Sequence, residues 1–121
     1  MVNAISPQSI ISPSAQLGAG IAIMAGAIIN AEAVIADLAI INTGATVDHD
    51  CQIGKAVHIG PQCALAGNVA VGRQSFLGIG CKVIPEVSIG ENVIIGAGGV
   101  VISDVKSGAT AVGVPARVVN Q

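Results

Sequence analysis

Two histidines, seven acidic side chains and three cysteines carry nearly all the chemistry this chain could perform. His49 stands in the string NTGATVDHDC between Asp48 and Asp50. A carboxylate beside an imidazole can orient it as a general base, so this triplet points to proton abstraction from a nucleophile. His58 follows nine residues later. Structural or catalytic zinc draws on three or four ligands at short spacing, which two histidines nine apart do not provide, so no metal is expected. Cys51, Cys63 and Cys81 would need exposure and a positive setting to act as nucleophiles.

The elements that must position these residues follow from an internal repeat. Starting at Ile5, every sixth residue through Val101 is Ile, Leu or Val without a gap. If that position is called i, position i+4 is nearly always small or β-branched, and it lies two residues before the next i. Both therefore share one face of a short strand and point inward. All five prolines fall at i+2 and most glycines at i+1 or i+3, where corners need restricted or permissive φ. No charged residue between 5 and 106 occupies i or i+4. A helical period of 3.6 does not generate this pattern, nor does hairpin alternation. The three cysteines all fall at i+4, which makes them core filler.

Composition agrees with a core of small aliphatic side chains. The 121 residues are 52% hydrophobic, with 16 glycines, Phe76 as the one aromatic and 10% charged residues. That apolar content excludes disorder, and the absence of a three-residue glycine period excludes collagen. The apolar stretch LGAGIAIMAGAIINA lacks a basic flank and is shorter than the roughly 20 residues of a membrane span. A soluble, cytoplasmic protein without a targeting segment is expected. The net charge of -2 is uneven: residues 1 to 54 hold four acids and no base, residues 55 to 121 five bases and three acids. A polyanionic ligand would favour the second half. No basic run with interleaved aromatics suggests nucleic acid.

The motif resembles the hexapeptide repeat of left-handed parallel β-helix proteins, in which three hexads form one triangular coil of 18 residues. That resemblance implies an all-β fold of about 5.7 coils over residues 1-106, at about 4.8 Å per rung. Residues 107-121 form a short C-terminal extension. Residues 18 apart become stacked neighbours, and the outward column Ala22, Ile40, His58, Phe76, Ile94 is apolar. A contiguous apolar stripe marks an association surface of a cyclic homo-oligomer, and the resemblance implies that it is a homotrimer. Gly67 stacks directly above His49, leaving open space before the imidazole and a backbone N–H within about one rung of it. Base and oxyanion donor at one corner suit acyl transfer.

The strings IINTGATVDHDCQIG, VHIGPQCALAGNVAVG, SFLGIGCKVIPEVSIGENVIIGAGGVV and VGVPARVV together resemble the sialic acid O-acetyltransferase and UDP-4-amino-sugar N-acetyltransferase family across essentially the whole chain. The resemblance implies that His49 is the general base, oriented by Asp50, and that Asn42 helps place the acceptor. It also implies that His58 lies near the acetyl group and that the Gly67 N–H faces the thioester carbonyl. Acetyl-CoA would lie between neighbouring β-helices along Ile79, Gly80, Ala97, Gly98, Pro115 and Arg117. Family members carry an N-terminal α/β domain, and this chain begins where that domain would end. A non-enzymatic trimeric scaffold with a vestigial site is the alternative reading.

Overall fold

In the computed structural model, residues 2–120 are described. Seventeen two-residue strands recur every six residues, from β1 (Ala4–Ile5), β2 (Ile10–Ile11) and β3 (Gln16–Leu17) to β17 (Val100–Val101). Each pairs in parallel with the strand 18 residues away, so that β10 (His58–Ile59) lies between β7 (Ile40–Ile41) and β13 (Phe76–Leu77). Three sheets result, of eight, six and five strands. They form the faces of a three-sided parallel β-solenoid, as expected of a left-handed β-helix. The first face carries β1, β7, β10 and β13, the second β2 and β17, the third β3.

The corners explain why this sequence folds this way. At every corner from Gly20 to Gly98, position i+3 is left-handed, with φ between 54° and 74°. Nine of these residues are not glycine, Asp50 (φ 60°) and Asn68 (φ 60°) among them. The N–H of i+4 then bonds the C=O of i+1, as from Ala45 to Asn42 at 3.1 Å. Left-handed backbone one step after a proline-compatible position is the signature of a type II turn. The N–H at i+2 has no backbone partner, which is why every proline in the repeat is tolerated there.

Inside the prism, Ile41, Val47, Ile59, Leu77 and Ile95 alternate with Ala39, Ala45, Cys51 and Val57, all fully buried. Cys63 and Cys81 are buried too, and the three cysteines are free thiols. Among the described residues Ser75 is the one buried polar side chain. Its Oγ donates to Gly90 O at 2.7 Å and accepts from the Val93 N–H at 3.0 Å, so its burial costs little.

Beyond residue 106 the chain continues the first face. Strand β18 (Thr110–Val112) pairs in parallel with β16 (Ile94–Ile95), and β19 (Arg117–Val118) folds back antiparallel on β18. The register shortens here: Ile94 faces Thr110 and Ile89 bridges Val105, 16 residues apart instead of 18. The turn between β18 and β19 reaches over the second face, where Val100 donates to Gly113 O and accepts from Ala116 N–H. Among the described residues, no helix is long and apolar enough to cross a membrane.

Candidate active site

His49 occupies the corner between β8 (Thr46–Val47) on the second face and β9 (Gln52–Ile53) on the third. Its Nδ1 lies 3.0 Å from Asp50 Oδ2, with both side chains about half exposed. The carboxylate accepts, so Nδ1 carries the hydrogen and Nε2 is left as the free basic nitrogen. The left-handed backbone of Asp50 turns the chain at this corner and brings its carboxylate beside the preceding ring.

Gly67, one coil above, is buried directly against the imidazole. A β-carbon built on it would overlap His49 Nε2 and lie 2.5 Å from Cε1. Only glycine leaves the ring its place. The Gly67 N–H takes part in no hydrogen bond among the described residues. A free donor beside a basic nitrogen is the pairing that addition to a carbonyl requires.

Asp48 supports the same corner from its other side. Its Oδ1 accepts from the His49 N–H at 2.7 Å and from Asn30 Nδ2 at 2.9 Å. The His49 N–H and the Asn30 amide hold the Asp48 carboxyl below the usual carboxylate range. A shallow groove of about 390 Å³ opens alongside on the second face, bordered by Thr46, Asp48, Ala64, Lys82 and Pro85. The Lys82 Nζ lies across its far side, donating to Gly80 O at 3.0 Å and Gln62 O at 3.3 Å.

The other expected residues sit elsewhere on the prism. His58 projects from the middle of the first face, packed edge to face on Phe76 with ring centroids 5.0 Å apart. Its Nε2 is 3.2 Å from Asn42 Nδ2. The Asn42 Oδ1 already accepts the Thr43 N–H at 2.7 Å, so the Asn42 amide donates and His58 Nε2 accepts. Asn42, Ile79, Gly80, Ala97 and Gly98 lie at corners between the first and second faces. Gly80 and Gly98 have left-handed φ and open space where a β-carbon would stand. Pro115 and Arg117 belong to the exposed C-terminal hairpin. Within one chain, then, His49, Asp50 and Gly67 share one edge, while Asn42 and the glycine corners share another, with His58 on the face beside it.

The groove and the Asn30–Asp48–His49 chain of bonds are additions to what the sequence suggested. Asn30 and Asp48 are 18 apart, and that spacing was the available signal. Among the described residues, no group of three or more side chains could hold a metal ion.

No family model matches the chain. Among solved structures it is similar to PerB from Caulobacter crescentus, crystallised with CoA and GDP-perosamine. The two share 57% identity and a TM-score of 0.99 over 99% of this chain and 58% of that one. The acetyltransferase domain of PglB from Neisseria gonorrhoeae, in complex with acetyl coenzyme A, shares 40% identity at a TM-score of 0.96. That match covers 97% of this chain and 57% of the other. WeeI from Acinetobacter baumannii shares 28% identity at 0.92, over 95% and 57%. The chain spans less than three fifths of each of these proteins.

Proposed function

We propose, on the premise that this chain carries the β-solenoid of a hexapeptide-repeat acetyltransferase, that it transfers acetyl from acetyl-CoA to the amine of a nucleotide-linked amino sugar. The observation that carries this reading is the His49–Asp50 pair lying against Gly67. Asp50 fixes the tautomer, and His49 Nε2 takes a proton from the acceptor amine as its nitrogen attacks the thioester carbonyl. The C–N bond forms, the Gly67 N–H stabilises the oxyanion, and the C–S bond then breaks to release CoA as its thiol. Acetyl transfer to this acceptor class is supported by the CoA and GDP-perosamine held by PerB and the acetyl-CoA held by the PglB domain.

A complete site needs two copies. The apolar column through His58, Phe76 (43% exposed) and Ile94 (49% exposed) supports packing of the first face against a neighbour in a homotrimer. His58 and Asn42 of one copy would then meet His49 of the next. Ile79, Gly80, Ala97, Gly98, Pro115 and Arg117 would border the acetyl-CoA channel. The β-helix of residues 1-106 would supply the base, and the extension of residues 107-121 would supply the end of that channel. A cytoplasmic location fits the acetyl donor.

The test is acetyl transfer to a nucleotide-linked 4-amino sugar, followed as release of the CoA thiol. General-base catalysis is typically worth about 10²–10⁴-fold, so His49→Ala should lower kcat by that order while the fold and acetyl-CoA binding persist. Transfer by His49→Ala at the wild-type rate overturns the assignment of the base. Absence of acetyl-CoA binding by calorimetry overturns the reaction itself.

A further inference from the structure

We propose that Asp48, seated on Asn30, is a positioning residue that holds the His49 backbone so that the imidazole rests against Gly67. The inference rests on the role proposed for His49. At i+2 of each hexad the N–H has no backbone partner, and where it is held a side chain takes it, as Asp37 Oδ1 does from Ala19 and Ser107 Oγ from Glu91, each at 2.8 Å. His49 stands at that position, with its side chain about half exposed, so packing alone leaves its ring free to swing. Asp48 removes that freedom from the backbone side. Its Oδ1 takes the His49 N–H at 2.7 Å, and Asn30, one coil below, takes the same oxygen at 2.9 Å and fixes the carboxylate's own orientation.

The same device recurs once among the described residues. Asn42, also at i+1, accepts the N–H of Thr43 at i+2 at 2.7 Å, and its amide is thereby aimed at His58. Both histidines are thus aligned through an i+1 side chain that bonds the following N–H. At other corners i+1 is often glycine or alanine, as at Gly54, Gly60, Ala66 and Gly72, and gives no such hold. The two carboxylates beside His49 consequently divide the work. Asp50 bonds the ring nitrogen and sets the tautomer, whereas Asp48 bonds the backbone and sets where the ring stands. Misplacement of a reacting group by about 1 Å can cost on the order of 10²-fold in rate.

Asp48→Ala removes both bonds, and Asn30→Ala removes the support beneath them. Asp48→Asn keeps an oxygen that accepts from His49 N–H and from Asn30, while discarding the charge. Two readouts on the 121-residue chain decide the matter. In steady-state kinetics, Asp48→Ala should lose about tenfold to about hundredfold in kcat with KM for acetyl-CoA unchanged, Asn30→Ala less, and Asp48→Asn should recover most of the wild-type kcat. In NMR spectra, a nuclear Overhauser contact between the Gly67 α-protons and His49 Hε1 should be present in wild type and Asp48→Asn and weakened in Asp48→Ala. Asp48→Ala with wild-type kcat and an intact contact overturns the proposal. So does Asp48→Asn as slow as Asp48→Ala with the contact retained, which would make the charge the operative feature. A wild-type chain that transfers no acetyl would overturn the proposed reaction, while the NMR comparison would still report on the positioning.

Discussion

Replacing Gly67 by alanine tests the site with one methyl group. The added β-carbon would lie 2.5 Å from His49 Cε1, about 0.9 Å inside the 3.4 Å at which ordinary contact begins, and closer still to Nε2. The backbone offers no obstacle, because alanine already stands at i+2 at Ala25, Ala31 and Ala97. The imidazole must therefore yield, and being about half exposed it can swing outward by about 1 Å. In stability the effects nearly cancel. An off-rotamer histidine costs about 0.5–1.5 kcal/mol, and Gly→Ala restricts the unfolded chain by about 0.4–1 kcal/mol in compensation. In rate they do not cancel: about 1 Å of misplacement corresponds to about 10²-fold, or about 2.7 kcal/mol of activation free energy. Gly67→Ala should thus unfold at nearly the wild-type temperature and release CoA thiol about a hundred times more slowly. The Gly67 N–H survives the substitution, so the loss reports on the ring. A variant with wild-type kcat would refute the idea that an imidazole resting against Gly67 is the reactive arrangement.

Ser75→Ala leaves the Gly90 carbonyl and the Val93 N–H without their buried partner, and should lower the denaturant-unfolding free energy by about 1–3 kcal/mol without touching kcat. Asp48 has a lower pKa in the folded protein than its ordinary 3.8, so its contribution to stability is complete above that value and is lost as pH falls through the folded pKa. Denaturant midpoints of wild type and Asp48→Asn should differ at neutral pH and converge toward the acid end of that range. Burial pushes the Cys51 thiol up, and the bond with Cys81 together with burial pushes Cys63 up. The same bond lowers Cys81 to about 7, but it is as fully buried as the other two, so a thiol-disulfide reagent at pH 8 should find the native chain unreactive for want of access and titrate all three cysteines once it is unfolded.

The fold was legible because its period is rigid. One aliphatic phase and one small phase placed Ile41, Ala45, Val47 and Cys51 inward before any coordinate was known, and the 18-residue stacking put Gly67 over His49. The last coil was illegible for a definite reason. Val105 and Ala111 remain inward but in a register of 16, and nothing in their identities marks the loss of two residues. Side-chain reach also escaped the repeat. His58 and Asn42 are 16 apart and join diagonally between adjacent rungs at the edge of the first face, a contact that stacking by 18 does not generate. Asp48 flanks His49 in sequence, and the 18-residue spacing places Asn30 beneath it, yet its bond to the His49 N–H depends on side-chain rotation, about which periodicity carries no information.

The uniform corner geometry turns the molecule into a ruler. Asn42, Gly60, Gly78 and Gly96 follow one another at 18-residue steps up a single edge, so the sequence interval from Asn42 to Gly96 marks three rungs, about 14 Å. Position in the chain is thereby height along the axis. Adding one whole coil of three hexads between Gly72 and Gly90 would keep all three faces in phase yet lift the upper glycine corners by one graduation of about 4.8 Å relative to His49. An insertion that is not a whole number of coils would instead put everything above it out of phase with the faces below. A linear molecule lying against that edge would be gauged in units of one coil, and a solenoid of this kind can be recalibrated only in whole turns.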